Sequence, residues 1–279
     1  MEDYSINPYI GCSFNCSYCY INGSKYVKNV DSFYVKSNSI TLVKSKLKHL
    51  LRKNEKALIS FGSSTDPYQN IESELYLTRD LLKLMYRFKF PVHIITKSDL
   101  VLRDIDILRK IDDVAILPDD IKTELKSNVI ITYSFSTLDE NVASIFEANV
   151  PSIKRRIKAI KRFKKENFFV GVSFMPILPF ITDNEDTLNK TISKFSKLNI
   201  DYLLYGSLSL FGNKKFDSRC KYFNLVKNYF PEYYKKTKDL FYNKNTNSFN
   251  NYPPYKYQEE LSKKIKYYSN IYNIPNIIF

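Results

Sequence analysis

Three cysteines near the amino terminus are the residues whose types and spacing best suit chemistry. Cys12, Cys16 and Cys19 fall within eight residues, whereas Cys220 stands alone far down the chain. Such a cluster is not a spread disulfide framework, and in a reducing compartment it is typical of metal binding or redox chemistry. The CxxxCxxC spacing allows one short loop to wrap around a cube of iron and sulfide.

The alternative metal is zinc, which in a structural site needs a fourth nitrogen or sulfur ligand. The candidates His49, His93 and Cys220 are all distant in the sequence. Three thiolates on a four-iron cluster leave one iron without a protein ligand, and an open coordination site is a catalytic feature. The sequence therefore favours a [4Fe–4S] cluster on the three clustered cysteines, and Cys220 is predicted not to be a ligand.

The composition of the chain bears on its partners and on its location in the cell. The formal charge is +14, from 43 Lys and Arg against 29 Asp and Glu, which favours polyanionic partners such as nucleic acid. A bias towards Lys, Asn, Ile, Tyr and Phe is an alternative, purely compositional explanation of that charge. Hydrophobic residues make up 44% of the chain, yet no apolar run reaches the roughly 18 residues of a membrane span. The amino terminus lacks the basic and apolar regions of a secretory signal, which predicts a cytoplasmic protein.

Strand-like apolar runs alternate with amphipathic stretches along the chain. The predicted strands are Ser5–Ile10, Ala57–Gly62, Pro91–Thr96, Val129–Phe135, Phe168–Met175 and Tyr202–Leu208. The predicted helices are Leu42–Leu51, Ile71–Phe88, Leu102–Ile111, Ser152–Lys165, Glu185–Leu198 and Ser218–Tyr229. This alternation predicts an α/β fold with parallel strands and outer helices, either a partial barrel or an open sheet.

Two stretches interrupt the alternation. Asp112–Asn128 is long for a connection between a helix and a strand, and we predict an insertion on the barrel's rim. After Phe230 the chain becomes rich in Tyr, Lys and Asn. We therefore predict a core domain over residues 1–230 and a small basic extension over 231–279. Within the extension, Asn243–Pro254 is predicted as an exposed loop and Tyr257–Ile271 as a last helix.

The cysteine motif, with Tyr18 just before its last cysteine, resembles the signature of radical S-adenosylmethionine (SAM) enzymes. Phe61–Gln69, Ile94–Ser98 and Ser134–Glu140 follow in order. Together they are similar to the branch around spore photoproduct lyase, often labelled DNA repair photolyases. The resemblance spans residues 4–230 and implies a partial (β/α)6 TIM-like barrel.

In the family that the chain resembles, SAM chelates the open iron of a [4Fe–4S] cluster through its amino and carboxylate groups. An electron from an external reductant, such as ferredoxin or flavodoxin, leads to a 5′-deoxyadenosyl radical that abstracts hydrogen from substrate. The cofactor carries the difficult chemistry, while the protein orients the reacting carbon.

Residues just after the strands are candidates for the cofactor pocket, because sites in parallel barrels lie at the carboxyl ends of the strands. The predicted cofactor-binding residues are Tyr18, Ser64, Thr65, Asp66, Lys97, Ser134, Ser136 and Arg156. Asp66 either accepts from the SAM ammonium group or caps the loop before Pro67. Lys97 either pairs with the SAM carboxylate or is solvated.

Ser134 and Ser136 share one face of their strand and contact either the ribose or neighbouring backbone. Arg156 borders the apolar stripe of the helix Ser152–Lys165, and we predict that it contacts a carboxylate or the substrate. The loop Met175–Pro179 either flanks the adenine or packs in the core.

One difference from the branch around spore photoproduct lyase concerns the group that returns a hydrogen atom to the product radical. Ser63 stands where that branch carries a hydrogen-donating cysteine, and a serine O–H bond is too strong for that role. The same route of thymine-dimer repair is therefore disfavoured. The chain also lacks downstream cysteine clusters for auxiliary iron–sulfur centres.

The leading hypothesis is a radical SAM enzyme that acts on a nucleic-acid base, in repair or modification. The alternatives are a radical SAM enzyme acting on a peptide or small metabolite, and a non-catalytic zinc-binding nucleic-acid module. The predicted polyanion contacts are the basic helix Ser152–Lys165 and the tail tyrosines, which are Tyr233, Tyr234, Tyr255, Tyr257, Tyr267 and Tyr268. Tyrosines stack on bases while lysines neutralise phosphates.

Overall fold

The computed structural model describes residues 4–24, 33–125 and 127–278. The strands are β1 (Tyr4–Ile6), β2 (Tyr9–Ile10), β3 (Tyr34–Val35), β4 (Ile59–Phe61), β5 (Val92–Thr96), β6 (Val129–Phe135), β7 (Phe169–Ile177), β8 (Leu203–Ser207), β9 (Tyr242–Asn243) and β10 (Ser248–Phe249). The helices are α1 (Ser39–Arg52), α2 (Glu72–Leu75), α3 (Leu77–Phe88), α4 (Ile105–Val114), α5 (Glu140–Phe146), α6 (Ile153–Lys165), α7 (Glu185–Ser196), α8 (Ser218–Tyr229), α9 (Pro231–Phe241) and α10 (Tyr255–Ile271).

The main sheet has six strands in the order β1-β4-β5-β6-β7-β8. Every neighbouring pair in it is parallel, so the intervening helices return the chain to the same edge. The strands β1 and β8 form the two edges of the sheet. This partial TIM-like barrel confirms the predicted α/β fold with six parallel strands.

Alternation along the strands separates an apolar outer face from a polar inner face. In β6, Ile131, Tyr133 and Phe135 are fully buried in the main hydrophobic core, which also contains side chains of the outer helices. Thr132 and Ser134 share the opposite face. The sequence of β6 therefore places hydroxyl groups inside the barrel, where a polar ligand could meet them.

The amino-terminal end of the barrel is closed by a second apolar cluster, composed of Leu58, Ile121, Leu125, Ile130 and Tyr202. The stretch Asp112–Asn128 supplies two of these buried side chains, so it packs beneath the strands. The predicted insertion on the rim is corrected on this point, because a segment between a helix and the next strand lies at the strands' amino-terminal ends. A Cβ atom on Gly171 would lie 2.2 Å from the Tyr202 ring. Glycine at this position therefore leaves room for Tyr202 in the cluster.

Several predicted elements are divided or extended. The early strand splits into β1 and β2 around Asn7 and Pro8, since Pro8 has no amide hydrogen to donate. The predicted helix Ile71–Phe88 is two helices, broken at Tyr76, whose φ is +52°. A 3₁₀ turn (Asp99–Asp104) precedes α4, and the short helices α5 and α9 were not predicted.

The carboxyl-terminal segment packs against the same core as the barrel. Leu261 and Ile265 of α10 and Ile274 beyond it belong to the main hydrophobic core. The predicted loop Asn243–Pro254 overlaps a hairpin, formed by β9 and β10, that begins one residue before it. The boundary at residue 230 stays a prediction. None of the helices in the described residues is long and apolar enough to cross a membrane.

Candidate cofactor site

A cavity of about 360 Å³ opens at the carboxyl ends of the strands, and we call it the cofactor cavity. The three clustered cysteines all line it. The other lining residues are Phe14, Tyr18, Tyr20, Gly62, Ser63, Ser64, Thr65, Asp66, Ile95, Thr96, Lys97, Ser134, Ser173, Met175, Pro176, Ser207 and Ser209. The parallel sheet thus brings together residues from five strand ends and the cysteine loop (residues 12–19).

The cysteine loop is fastened from two sides. The amide of Ser13 donates to Oε1 of Gln69 at 2.7 Å, and Gln69 is fully buried. The amide of Ser17 donates to the carbonyl of Phe146 at 3.0 Å. Because Phe146 ends α5 and Gln69 follows β4, the loop is held between distant elements of the barrel.

Burial is the main influence on the pKa values of the three clustered thiols. It raises the pKa of Cys12 to about 12, although backbone amides of Asp66 and Phe14 oppose the rise. Burial also raises the pKa of Cys16 and of Cys19, against the nearby charge of Lys97. Since only thiolates bind metal, metal binding must displace three protons from these buried sulfurs.

The cysteines fit a cluster better than a single ion. Among the described residues, no three His, Cys, Asp or Glu side chains are grouped to hold one metal ion. In a four-iron cluster each thiolate binds a different iron, which requires wider spacing around a shared cavity. Cys220 does not line the cofactor cavity, and its Sγ donates to the carbonyl of Asn213 at 3.2 Å.

Asp66 serves as a cap for the loops after β4 and β5. It accepts from the amide of Lys97 at 2.7 Å, from Oγ1 of Thr96 at 2.7 Å and from the amide of Tyr68 at 2.9 Å. Burial raises the pKa of Asp66, and these donors oppose the rise. Of the two roles considered from sequence, the structure shows Asp66 in the capping role. Its carboxylate also lines the cofactor cavity.

The segment Ser63–Thr65 follows a glycine that the backbone requires. Gly62 has a φ of +97°, and a Cβ atom there would lie 2.2 Å from the carbonyl oxygen of Ile95. Glycine adopts such a positive φ without steric cost. Oδ1 of Asn7 then accepts from the amides of Ser64 at 3.0 Å and Thr65 at 3.3 Å. The loop is therefore pinned with its hydroxyl groups beside the cysteines.

Lys97 holds a defined position in the cofactor cavity. Its Nζ donates to Oγ of Ser134 at 2.7 Å. Its charge lowers the pKa of Cys16 and Cys19 against the effect of burial. The ammonium group therefore lies close enough to the cysteine loop to act on an anion bound there.

Arg156 and Ser136 lie in a buried network behind the cavity. Arg156 is 1% exposed, and its Nη2 lies 2.8 Å from Oε2 of Glu147. Oγ of Ser136 donates to Oε1 of Glu147 at 2.8 Å, and the hydroxyl of Tyr18 donates to the same oxygen. Arg156 thus contacts a carboxylate, one of the two contacts considered from sequence, and that carboxylate belongs to Glu147. Neither Arg156 nor Ser136 lines the cofactor cavity, and a role of either residue towards a ligand stays a prediction.

Sequence reasoning missed Glu147, Tyr20, Ser173, Ser207 and Ser209. Ser173 could have been found, because it shares one strand face with Met175 under the two-residue period. Ser207 lies near the carboxyl end of the predicted strand Tyr202–Leu208, where barrel sites are expected. Glu147 carried no signal of its own, since it follows a helix that was not predicted.

Comparisons with known proteins identify the family of the chain. Residues 6–191 match the sequence profile of the Radical SAM superfamily. An uncharacterised protein of Methanocaldococcus jannaschii is 33% identical over 190 residues, which cover 67% of this chain and 65% of that protein. An uncharacterised protein of Mycobacterium bovis is 23% identical over 69% of this chain and 55% of its own length. The chain thus spans less than two thirds of these relatives.

Two solved structures share the fold. Spore photoproduct lyase with bound AdoMet and dinucleoside spore photoproduct has a TM-score of 0.66 at 15% identity, covering 97% of this chain and 74% of that one. Streptococcus suis SuiB bound to the precursor peptide SuiA has a TM-score of 0.53 at 15% identity, covering 84% of this chain and 46% of that one. The profile covers the cysteine loop and the strands from β2 to β7, and the chain therefore belongs to the Radical SAM superfamily.

Proposed function

We propose that this enzyme holds a [4Fe–4S] cluster through Cys12, Cys16 and Cys19, with SAM beside it, and acts on a nucleic-acid base in repair or modification. The observation that supports the proposal is the shared cavity. Three thiols, one positioned ammonium group and a set of hydroxyls meet at the carboxyl ends of parallel strands, which is where barrel enzymes place their sites.

When bound, the cluster would supply the electron that cleaves SAM to a 5′-deoxyadenosyl radical, which removes a hydrogen atom from substrate. The side chains of the protein bind SAM and orient it. Lys97, fixed by Ser134, pairs with the SAM carboxylate. A carboxylate offers about four lone-pair sites, and three protein donors reach Asp66. One site is therefore left for the SAM ammonium group.

The cavity contains no spare thiol to return hydrogen to a product radical. Within its described lining, the cysteines are the three of the loop. Ser63 stands at the exposed mouth, where its Oγ accepts from Asn7 at 2.8 Å. We therefore propose a reaction whose product does not depend on a hydrogen-donating cysteine, in contrast to thiol-assisted dimer cleavage.

The net charge of +14 supports a nucleic-acid substrate, because phosphates attract basic proteins. The spore photoproduct lyase structure that shares the fold contains a bound dinucleoside spore photoproduct, and this likeness adds support. SuiB, bound to a peptide, shares the fold less closely, so a peptide or small metabolite is the second candidate. Membership of the Radical SAM superfamily supports a catalytic cluster over a non-catalytic zinc module.

Anaerobic reconstitution with iron, sulfide, SAM and reductant tests the proposal. We expect one four-iron cluster per chain and release of 5′-deoxyadenosine, measured by iron and sulfide analysis and by chromatography. Cys12→Ala, Cys16→Ala and Cys19→Ala should each lose SAM cleavage, because each removes one iron ligand.

Cys220→Ala is the matched control, and it should keep the iron content and the activity of the parent. Intact SAM cleavage in any of the three loop variants would overturn the assignment of the ligands. Bound zinc without iron or sulfide, after reconstitution with both metals, would overturn the cluster itself.

A further inference from the structure

A buried carboxylate lies behind the cysteine loop, on the residue that follows α5. Phe146 ends α5 and Glu147 is the next residue. The carbonyl of Phe146 accepts from the amide of Ser17 at 3.0 Å and from its Oγ at 3.3 Å. The hydroxyl of Tyr18 donates to Oε1 of Glu147. These hydrogen bonds hold the carboxylate against the stretch of the loop between its second and third cysteines.

Aromatic packing fixes the position of this contact. The ring centroid of Phe146 is 5.2 Å from that of Tyr222 and 5.9 Å from that of Phe230. Cys16 and Tyr18 belong to the same buried cluster as Phe146. Because protein interiors are closely packed, the carboxylate that follows Phe146 has little freedom to move away from the loop.

The carboxylate of Glu147 is paired on its other side. Nη2 of Arg156 lies 2.8 Å from Oε2, and both side chains are 1% exposed. The guanidinium also donates to the carbonyl of Ser134 at 3.1 Å and lies over the ring of Phe135. Arg156 thus approaches Oε2, whereas Tyr18 of the cysteine loop approaches Oε1. Since water is excluded from the pair, its charges are weakly screened.

The charge of Glu147 acts on one of the predicted iron ligands. Burial raises the pKa of the Cys16 thiol, the charge of Lys97 opposes the rise, and the charge of Glu147 adds to it. A negative charge that disfavours a thiolate also disfavours an extra electron on a group bound to that sulfur. Net charge is one of the properties that set the reduction potential of an iron–sulfur cluster.

We propose that Glu147 lowers the reduction potential of the cluster, through the fixed negative charge that it places beside the cysteine loop. This inference rests on the proposed function. In the step concerned, the external reductant loses one electron and the cluster gains it; no bond forms or breaks. A lower potential makes the electron harder to supply, but it gives that electron a larger driving force for the cleavage of SAM.

The alternative is that Glu147 only anchors the loop. Its carboxylate joins α5 to α6 through Arg156 and accepts from Tyr18 and Ser136. A neutral amide oxygen would accept the same two hydrogen bonds. Glu147→Gln therefore separates the roles, because it keeps the size of the side chain and the acceptor Oε1 while it removes the charge.

The midpoint potential of the reconstituted cluster is the measurement that responds to this charge. It is obtained in the absence of SAM, by redox titration with low-potential dyes followed by electron paramagnetic resonance. We expect Glu147→Gln to shift the equilibrium towards the reduced cluster about tenfold or more, which is a rise of about 59 mV for one electron. Such a shift is the scale of one charge that acts across a short buried distance.

The matched control is Glu166→Gln, which removes a carboxylate that also pairs with arginines. Glu166 lies 2.7 Å from Arg109 and 3.0 Å from Arg162, but it follows the last turn of α6, away from the cysteine loop. Its potential should match that of the parent. Tyr18→Phe removes the hydrogen bond from the loop and keeps the carboxylate, so its potential should lie at or below the parent value.

A second variant covers the case in which Glu147→Gln does not fold, because that change leaves Arg156 buried without its partner. Glu147→Gln with Arg156→Met leaves neither charge buried. Its potential should also rise, since the carboxylate is the member of the pair that contacts the loop.

A potential that is unchanged or lower without the Glu147 charge would overturn the inference. So would an equal rise in Tyr18→Phe, which would assign the effect to the hydrogen bond, or in Glu166→Gln, which would make it unspecific. Loss of the cluster from both Glu147 variants would show a role in assembly and would overturn the inference as well. Failure of the parent to bind a four-iron cluster would instead overturn the proposed function, so the two failures are separable.

Discussion

Lys97, which lines the cofactor cavity, is either an anion-binding residue or a solvated lysine, and its hydrogen bond distinguishes the two roles. A solvated lysine samples many rotamers, whereas Nζ of Lys97 is 2.7 Å from Oγ of Ser134 inside the cofactor cavity. The ammonium group is therefore preorganised, so little side-chain entropy is lost when an anion binds to it. This supports Lys97 as the partner of a carboxylate.

Lys97→Met should lower the affinity for SAM about ten- to a hundredfold, because a hydrogen bond to a charged group contributes roughly 1.5–3 kcal/mol. Methionine keeps much of the side-chain volume, so the barrel should stay folded by circular dichroism. Equilibrium dialysis of labelled SAM with the reconstituted enzyme measures the loss. Lys97→Arg, which keeps the charge, is the control, and equal affinity in Lys97→Met and the parent would show that the pocket is misplaced.

At the scale of the elements, the buried pair of Glu147 and Arg156 connects two helices. Glu147 follows α5, Arg156 lies in α6, and both side chains are 1% exposed. Burial alone would raise the pKa of Glu147, but the charges of Arg156 and Lys97, with hydrogen bonds from Tyr18 and Ser136, hold it below its usual value. Because Tyr18 belongs to the cysteine loop, this carboxylate joins two helices to the cofactor site.

Arg156→Met should cost about 3–5 kcal/mol of unfolding free energy, the usual penalty when one partner of a buried ion pair is removed. Urea unfolding of the protein measures it. The double variant Arg156→Met with Glu147→Gln should recover part of the loss, since no charge is then left buried alone. If Arg156→Met were as stable as the parent, the pair would not be ionised. Direct contact between Arg156 and a ligand would then be the better explanation of its position.

The central strands were predictable because they are buried on both faces. Val129–Phe135 has the predicted bounds, since an apolar run between polar loops leaves few alternatives. The break at Tyr76 was not predictable, because no glycine or proline marks it. α5 was missed because it is only seven residues long, and Glu147 was missed with it.

The candidate site was predictable to the extent that chain topology fixes it. Six of the eight predicted cofactor-binding residues line one cavity with the cysteines, because the carboxyl ends of parallel strands meet there. Ser136 and Arg156 are the exceptions. Their role depends on a partner, Glu147, whose position is set by tertiary packing that no local pattern reports.

Over the whole molecule, the predicted polyanion contacts do not all face the cavity mouth. α6 runs from the carboxyl ends of the strands towards their amino-terminal ends. Its first turn is therefore near the mouth of the cofactor cavity, and its last turn is at the opposite end of the barrel. The tail cannot be removed as a clean test, because Leu261 and Ile265 are part of the main core. Tyr257 is also engaged, since its hydroxyl donates to Asp183 at 2.7 Å, whereas Tyr255 is 78% exposed and available for stacking.

If the enzyme acts on nucleic acid, the two ends of α6 should respond differently to salt. The logarithm of affinity falls with the logarithm of salt concentration, with a slope of about −0.7 to −0.9 per phosphate contact. Lys154→Ala, in the first turn, should reduce that slope by about one contact, whereas Lys165→Ala, an equal charge change in the last turn, should leave it unchanged. Labelled single- and double-stranded DNA and RNA would be titrated at several salt concentrations. Binding too weak to measure at low salt, or equal slopes in the parent and both variants, would favour a peptide or a small metabolite as substrate.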